Sequence, residues 1–209
     1  MQQSVFFDNQ GCHTLNMADA DVIFLPNWLT KAAADNAFTE LQDTLQWRQD
    51  TIKLYGKEHL IPRLQAWYGD SHAQYAYSGV ALAPLPWTSC VSELKAQCEA
   101  AAQHRFNSVL ANWYRDGRDS MGMHSDDEPQ LGKQPVIASV SLGAERKLLF
   151  KHKQTNVKCS IVLTHGSLLI MAGKTQQCWK HGINKSKRID TGRINLTFRH
   201  IQSALESPL

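Results

Sequence analysis

What most constrains this 209-residue chain is the run of short β-patterned segments that begins near Val109. They are Val109–Tyr114, Val136–Leu142, Lys147–Lys151, Ser160–Thr164, Ser167–Met171 and Arg193–Ile201. Gly117, Gly122, Gly143, Gly166, Gly173 and Gly192 fall between or beside them as turn signals. Many short strands punctuated in this way predict an antiparallel sandwich or barrel. The earlier part reads differently. Asp21-Val-Ile-Phe-Leu25 predicts a strand ended by Pro26. Thr30 then caps a predicted helix through about Leu45, with Ala33, Ala37, Phe38 and Leu41 on one face. A second helix should start near Thr88 or Ser89 and bury Val91, Leu94, Cys98 and Ala102. No repeat, low-complexity tract or linker interrupts the pattern. The expectation is one α+β domain over residues 1–209, with N-terminal helices buttressing a jelly-roll-like core. Residues 1–45 are expected to be an extension, with the catalytic jelly roll over about 105–201.

Composition narrows the function classes without choosing among them. A 43% hydrophobic and 20% charged chain has enough apolar material for a core and is not of disordered type. No apolar stretch approaches the length of a membrane span, so no membrane partner is expected. The start MQQSVFFDNQGCH lacks the basic and apolar regions of a secretory signal. The expected location is the cytoplasm, or the nucleus in a eukaryote. Five cysteines, with no close C-x-x-C pair, offer neither a zinc nor a redox motif. A net charge of +3 permits contact with a phosphate backbone but does not demand it.

The first group that suggests chemistry is His124-Ser125-Asp126. Residues two apart on an extended segment project to one side, so an imidazole and a carboxylate can meet one metal. Alone the pair means little, since with nine histidines and nineteen acids about one H-x-(D/E) arises by chance. Its place, after the flexible loop Arg115–Gly122 and at the edge of the β-rich half, strengthens it. His181 is the best third ligand. Two histidines and a carboxylate on one face of iron form the facial triad of non-haem oxygenases, while zinc would accept similar ligands in a tetrahedral arrangement.

The segment Arg193–Arg199 favours iron. Alternation puts Arg193, Asn195, Thr197 and Arg199 on one face and Ile194, Leu196 and Phe198 on the other. Two fixed guanidinium groups suit carboxylates, and 2-oxoglutarate carries two. The competing reading is a solvent-facing strand with surface arginines. A triad and a dicarboxylate clamp together favour a dioxygenase.

Several strings in order also carry a family resemblance. Asn112-Trp-Tyr-Arg-Asp-Gly117, His124-Ser-Asp-Asp-Glu128, Ser139-Val-Ser-Leu-Gly143, His165-Gly-Ser-Leu-Leu169, His181 and the Arg193–Arg199 strand resemble the AlkB family of alkylation-repair dioxygenases. Upstream, Ile61-Pro-Arg-Leu-Gln65, Tyr68-Gly-Asp70 and Tyr77-Ser-Gly79 resemble the branch containing nuclear DNA-repair members. The resemblance covers roughly residues 50 to 201. It implies a double-stranded β-helix core with Fe(II) held by His124, Asp126 and His181. It implies that Arg193, helped by Tyr114, holds the distal carboxylate of 2-oxoglutarate. Arg199 and Asn112 then assist near the iron-chelating end, with Asn195 and Thr197 completing the wall. The implied reaction demethylates bases such as 1-methyladenine and 3-methylcytosine in DNA, releasing formaldehyde while 2-oxoglutarate and O2 become succinate and CO2.

A methylated pairing edge lies inside a duplex, so the base must be extruded or single-stranded. The resemblance implies that Tyr77 stacks on the base opposite the His124 ring, with Tyr75 and Ala76 lining the same pocket. Asp127 would favour a cationic methylated base or hold Arg63. Tyr55, with Gly56 and Lys57, occupies the hairpin that would fill the vacated stack; without the resemblance it is a turn. Lys147, Lys151, Lys153, Lys158, Lys180, Lys185, Lys187 and Arg188 are candidate phosphate contacts or ordinary solvated surface. The expected partner is alkylated DNA, or RNA, bound by a monomer. The competing readings are the same chemistry on RNA, protein or a small molecule, and a catalytically silent jelly roll that binds nucleic acid.

Overall fold

The computed structural model describes residues 5–7, 12–54, 56–73, 75–77, 80–82 and 84–202; among these, the side chains of 5–7, 53–54, 75–77 and 80–82 fall outside the description. The chain begins with β1 (Val5–Phe7), β2 (His13–Leu15), β3 (Asp21–Leu25) and α1 (Lys31–Thr44). Two hairpin strands, β4 (Thr51–Leu54) and β5 (Lys57–Leu60), precede β6 (Leu64–Gly69). A second small hairpin, β7 (Tyr75–Tyr77) and β8 (Val80–Leu82), leads into α2 (Ser89–Ala102). Then follow β9 (Ser108–Tyr114), β10 (Met121–His124), β11 (Ile137–Gly143), β12 (Arg146–His152), β13 (Lys158–Leu163) and β14 (Ser167–Ala172). The short α3 (Thr175–Cys178), β15 (Trp179–Ile183) and β16 (Arg193–Arg199) complete the core.

Both long helices start where the capping residues require. The hydroxyl oxygens of Thr30 and Thr88 accept from the amides of Ala33 and Val91. In α1 the buried stripe is Ala34, Ala37 and Leu41, while Ala33 is exposed, so the expected face is corrected by one residue. Spacing of three and four keeps the stripe facing the sheet through the whole helix. In α2 the expected Val91, Leu94 and Cys98 are buried, joined by Cys90. No helix among the described residues is long and apolar enough to cross a membrane.

The strands form two antiparallel layers, the arrangement of a jelly roll. The major sheet runs β1-β2-β3-β14-β11-β16-β9-β6 and the minor sheet β10-β15-β12-β13. The strands of the major sheet therefore come from both sides of α2. The outer face of the major sheet packs Val109, Ala111, Val140, Leu168, Ile170, Ile194, Leu196 and Phe198 against α1 and α2. Its inner face meets the minor sheet through Ile137, Leu148, Phe150, Leu163, Leu169, Met171, Trp179 and Ile183. Strands covered on both faces need not show polar residues to water. β16 sits at the middle of this arrangement, flanked by β11 and β9. The surface-strand reading of Arg193–Arg199 is thereby excluded, since residues 193–198 are all buried.

Among the strands that escaped the sequence pattern are three in the two main sheets of the core. β10 (Met-Gly-Met-His) and β15 (Trp-Lys-His-Gly-Ile) each hold a glycine and few β-branched residues, and β6 is short on them too. Their pairing partners stabilise them instead.

Candidate metal and co-substrate centre

The site lies between the two layers and is assembled from register. His124 ends β10 directly opposite His181 in β15, which brings the rings to 4.4 Å between centroids. The chain then leaves β10 and turns Asp126 inward. Ser125 Oγ donates to Trp179 O at 2.8 Å, and the Asp126 amide donates to Gln176 Oε1 at 2.9 Å. Asp126 Oδ2 lies 3.5 Å from His181 Nε2, and Oδ1 lies 4.0 Å from His124 Nε2. The ligand atoms of these three residues fall within 4.8 Å of one another, close enough to hold one metal ion.

Protonation favours the same use. His124 Nδ1 lies 3.0 Å from Gly122 O, and Nε2 is the ring nitrogen on the side of Asp126. Burial pushes the His181 imidazole down to about 4, against the opposing pull of Asp126, so the ring is neutral at physiological pH. Burial alone would raise the Asp126 carboxyl, but Arg199, His181 and His124 outweigh it and hold the group below the usual carboxylate range. Two imidazoles and one carboxylate so placed are ligands a divalent cation takes.

One wall of the cavity is the polar face of β16 and its neighbours. Register sets Arg193 opposite Tyr114, Asn195 opposite Asn112 and Thr197 opposite Ser139. The six expected co-substrate residues, Asn112, Tyr114, Arg193, Asn195, Thr197 and Arg199, line the same cavity as the three metal-ligand candidates. Asn195 Nδ2 donates to Ser139 Oγ and Val140 O, and its Oδ1 accepts from Thr197 Oγ1, which holds this row fixed. Arg63 Nε donates to Asn112 Oδ1 at 2.8 Å. Arg199 Nη2 donates to Asp126 Oδ1 at 2.5 Å.

Arg193 is the informative member. It is 1% exposed, and burial pushes its guanidinium down to about 10. Nη2 donates to Ser141 Oγ at 2.8 Å, yet Nε and Nη1 find no partner among the described residues. A buried guanidinium with unspent donors is costly unless an anion completes it. The donors line a cavity whose other walls are apolar, with Leu110, Leu148, Leu163, Leu169 and Met171. A carboxylate at the end of a short carbon chain satisfies both features.

The substrate-side expectations divide. Tyr55 lies outside the described residues, as do the side chains of Tyr75, Ala76 and Tyr77, whose backbone forms β7. Gly56 takes the turn between β4 and β5 with φ +80°, a left-handed conformation suited to glycine, and Lys57 is exposed beside it. Asp127 is exposed and pairs with Lys153 Nζ at 3.1 Å rather than with Arg63, which is taken by Asn112. Lys153 also donates to Gln176 O at 2.8 Å, which removes it from the free surface lysines.

Sequence reasoning missed Gln176, Ser139, Ser141, Arg146 and Glu128. Gln176 is 1% exposed and holds the Asp126 amide, while one carboxylate oxygen of Glu128 is buried without a partner among the described residues. Glu128 was visible as the acid two places beyond Asp126, and Ser139 and Ser141 stood in the family-like string Ser139–Gly143; Gln176 and Arg146 lie outside the β-patterned runs and carry no sequence signal.

A second group, Asp19, His152 and Cys178, also clusters at metal-ligand distance. There His152 Nδ1 accepts from the amides of Gln154 and Thr155, which puts the proton on Nε2 and leaves that nitrogen without a lone pair for a cation.

Residues 21–199 match the 2OG-Fe(II) oxygenase superfamily. The chain is 40% identical over 183 residues to the mouse DNA oxidative demethylase ALKBH2, covering 82% of this chain and 76% of that protein. It is 38% identical over 207 residues to the bovine alpha-ketoglutarate-dependent dioxygenase alkB homolog 3, covering 93% and 72%. The solved structure of OsALKBH1 superposes with a TM-score of 0.58 at 16% identity, over 94% of this chain and all of that one, a likeness of fold alone.

Proposed function

The chain belongs to the AlkB branch of the 2OG-Fe(II) oxygenase superfamily, and from that premise we infer that it oxidatively demethylates alkylated bases in DNA, using Fe(II), 2-oxoglutarate and O2. The observation that carries the assignment to residues is the pairing of a two-histidine, one-carboxylate cluster with the unspent donors of Arg193 in one cavity.

His124, Asp126 and His181 would hold the iron. With 2-oxoglutarate and O2, bound Fe(II) supplies oxidation of the N-methyl carbon; the methyl group leaves as formaldehyde, and succinate and CO2 are the co-products. Arg193 Nε and Nη1 donate to the distal carboxylate of 2-oxoglutarate, with Tyr114 beside them. Asn112, Asn195 and Thr197 keep the co-substrate's edge from turning. Arg199 neutralises the Asp126 carboxylate without displacing it from the cluster, since only one of its oxygens is engaged by the guanidinium. The apolar lining excludes water from the reacting carbon.

On the substrate side, Tyr77 stacks on the extruded base against His124, and Tyr75 and Ala76 complete the pocket. Tyr55, with Gly56 and Lys57, enters the vacated stack. Asp127 presents a negative edge that Lys153 holds in place, and the buried oxygen of Glu128 is free to accept from an exocyclic amine.

The test is anaerobic loading of the full chain with Fe(II) and 2-oxoglutarate, followed by O2 and an oligonucleotide bearing 1-methyladenine. Mass detection should show the unmodified base, with formaldehyde and succinate in equal amounts. His181→Ala should bind the strand normally and turn over nothing. Succinate formation no higher with methylated DNA than with unmodified DNA, or higher with methylated RNA, would overturn the DNA reading.

A further inference from the structure

Arg146 opens β12 and is 2% exposed, yet it lines no part of the cavity. Its donors go to backbone carbonyls: Nη1 to Asp116 O at 3.2 Å, and Nη2 to Asp119 O and Asn184 O, both at 2.8 Å. These carbonyls belong to the two loops that follow β9 and β15. The loops are also joined directly, since Gly117 N donates to Ile189 O at 2.9 Å and Ser186 N to Gly117 O at 2.7 Å. The adjacent carboxylates are already taken, Asp119 by Arg115 and Asp116 by Arg118.

The guanidinium of Arg146 lies over the Tyr114 ring at 5.6 Å, and that of Arg193 lies over the same ring at 5.2 Å. One phenol therefore meets two buried cations. Cation–aromatic contacts of this kind strengthen when water is excluded. The two like charges also repel one another across the ring, a cost that an arriving dianion removes. Arg146 thus has a mechanical link to the loops, one of which follows directly on Tyr114, and an electrostatic link to Arg193 across the Tyr114 ring.

We propose that Arg146 is a positioning residue for the distal carboxylate of 2-oxoglutarate, fixing Tyr114 and the loops behind it so that Arg193 meets that carboxylate. The proposal rests on the co-substrate reading given above. Arg146 touches neither iron nor co-substrate; it sets where Tyr114 and Arg193 stand, and its charge keeps the Arg193 end of the cavity positive. Only the far end of the co-substrate senses it. The metal cluster lies at the opposite end of β16, beside Arg199.

Calorimetric titration of the manganese-loaded full chain without oxygen separates these effects. Two 2-oxo acids are compared: 2-oxoglutarate, and 2-oxobutyrate, which lacks the distal carboxylate. Arg146→Met should weaken 2-oxoglutarate about 10- to 100-fold and leave 2-oxobutyrate unchanged. Arg146→Lys keeps the charge but loses the planar fork whose two nitrogens reach both loops, and it should fall between the two. A thermal melt of each variant reports folding independently. Should Arg146→Met fail to fold, Arg146→Lys carries the test with the same selective loss. Equal weakening of both acids marks a merely structural residue and overturns the proposal, as does undiminished binding of 2-oxoglutarate. A parent protein that does not distinguish the two acids overturns the co-substrate reading itself, a different result from either of these.

Discussion

Arg199 and Asp126, 73 residues apart in the chain, form the shortest polar contact of the site, with Nη2 donating to Oδ1 at 2.5 Å. The carboxylate is almost wholly buried while the guanidinium keeps an exposed edge. The pair lets a negative group sit between two imidazoles without losing its charge. Removing one partner of a buried ion pair leaves the other uncompensated, and the loss is larger than the pair's own net contribution.

Arg199→Met should therefore lower metal affinity by about 10- to 100-fold, the range for a group that orients a ligand. Competition against a chromogenic chelator measures it. Unaltered affinity would mean that Asp126 is held by Gln176 alone.

Gly117 is packed so closely that an added Cβ would meet Ser186 O at 1.9 Å, against backbone that has no side chain to move. Gly117→Ala should part the loops behind Tyr114 and destabilise the protein by about 1–3 kcal/mol, the cost of overpacking. Urea denaturation gives the stability, and a raised KM for 2-oxoglutarate should accompany it. If stability falls while KM holds, the loops do not govern the co-substrate end.

Lys185, Lys187 and Arg188 are exposed on the loop between β15 and β16. If they lie on phosphates, DNA affinity should fall steeply with salt. Lys185→Ala with Lys187→Ala should then reduce the logarithmic slope by roughly 0.9 for each phosphate no longer neutralised. Binding isotherms across a salt series decide it; an unchanged slope takes this loop off the nucleic acid.

Burial pushes the thiols of Cys90 and Cys159 up to about 11. Neither is tied up in a disulfide. Both should remain protonated and slow to alkylate at pH 8. The sign of the linkage is that folded thiols hold protons the unfolded chain has released. Their contribution to stability is thus complete below pH 9 and lost as pH rises toward 11. Iodoacetamide labelling resolved by peptide mass spectrometry tests the first part, and rapid labelling of either thiol at pH 8 refutes it.

Much of the architecture was legible because local chemistry dictated it. Thr30 and Thr88 announce their helices through side-chain caps, and the six β-patterned runs became β9, β11, β12, β13, β14 and β16 with ends shifted by a residue or two. β10 and β15 were illegible because glycine and histidine have little intrinsic strand preference, so their conformation comes from pairing. Periodicity puts Ala33 on the buried face of α1 because alanines at adjacent positions give it little to distinguish; the docking angle of the helix chose Ala34.

The amino-acid order by itself determined which groups could do chemistry: the His-x-Asp pair, a distant histidine, and a strand whose alternate residues are arginine, asparagine, threonine and arginine. Alternation is a property of the backbone, so it could be read without neighbours. Only the folded chain decided that His124 faces His181, that Arg193 keeps two donors unspent, and that Arg146 and Arg193 share one tyrosine ring. Those relations depend on strand register and layer packing. Both arise from contacts between segments far apart in sequence, which no local pattern encodes.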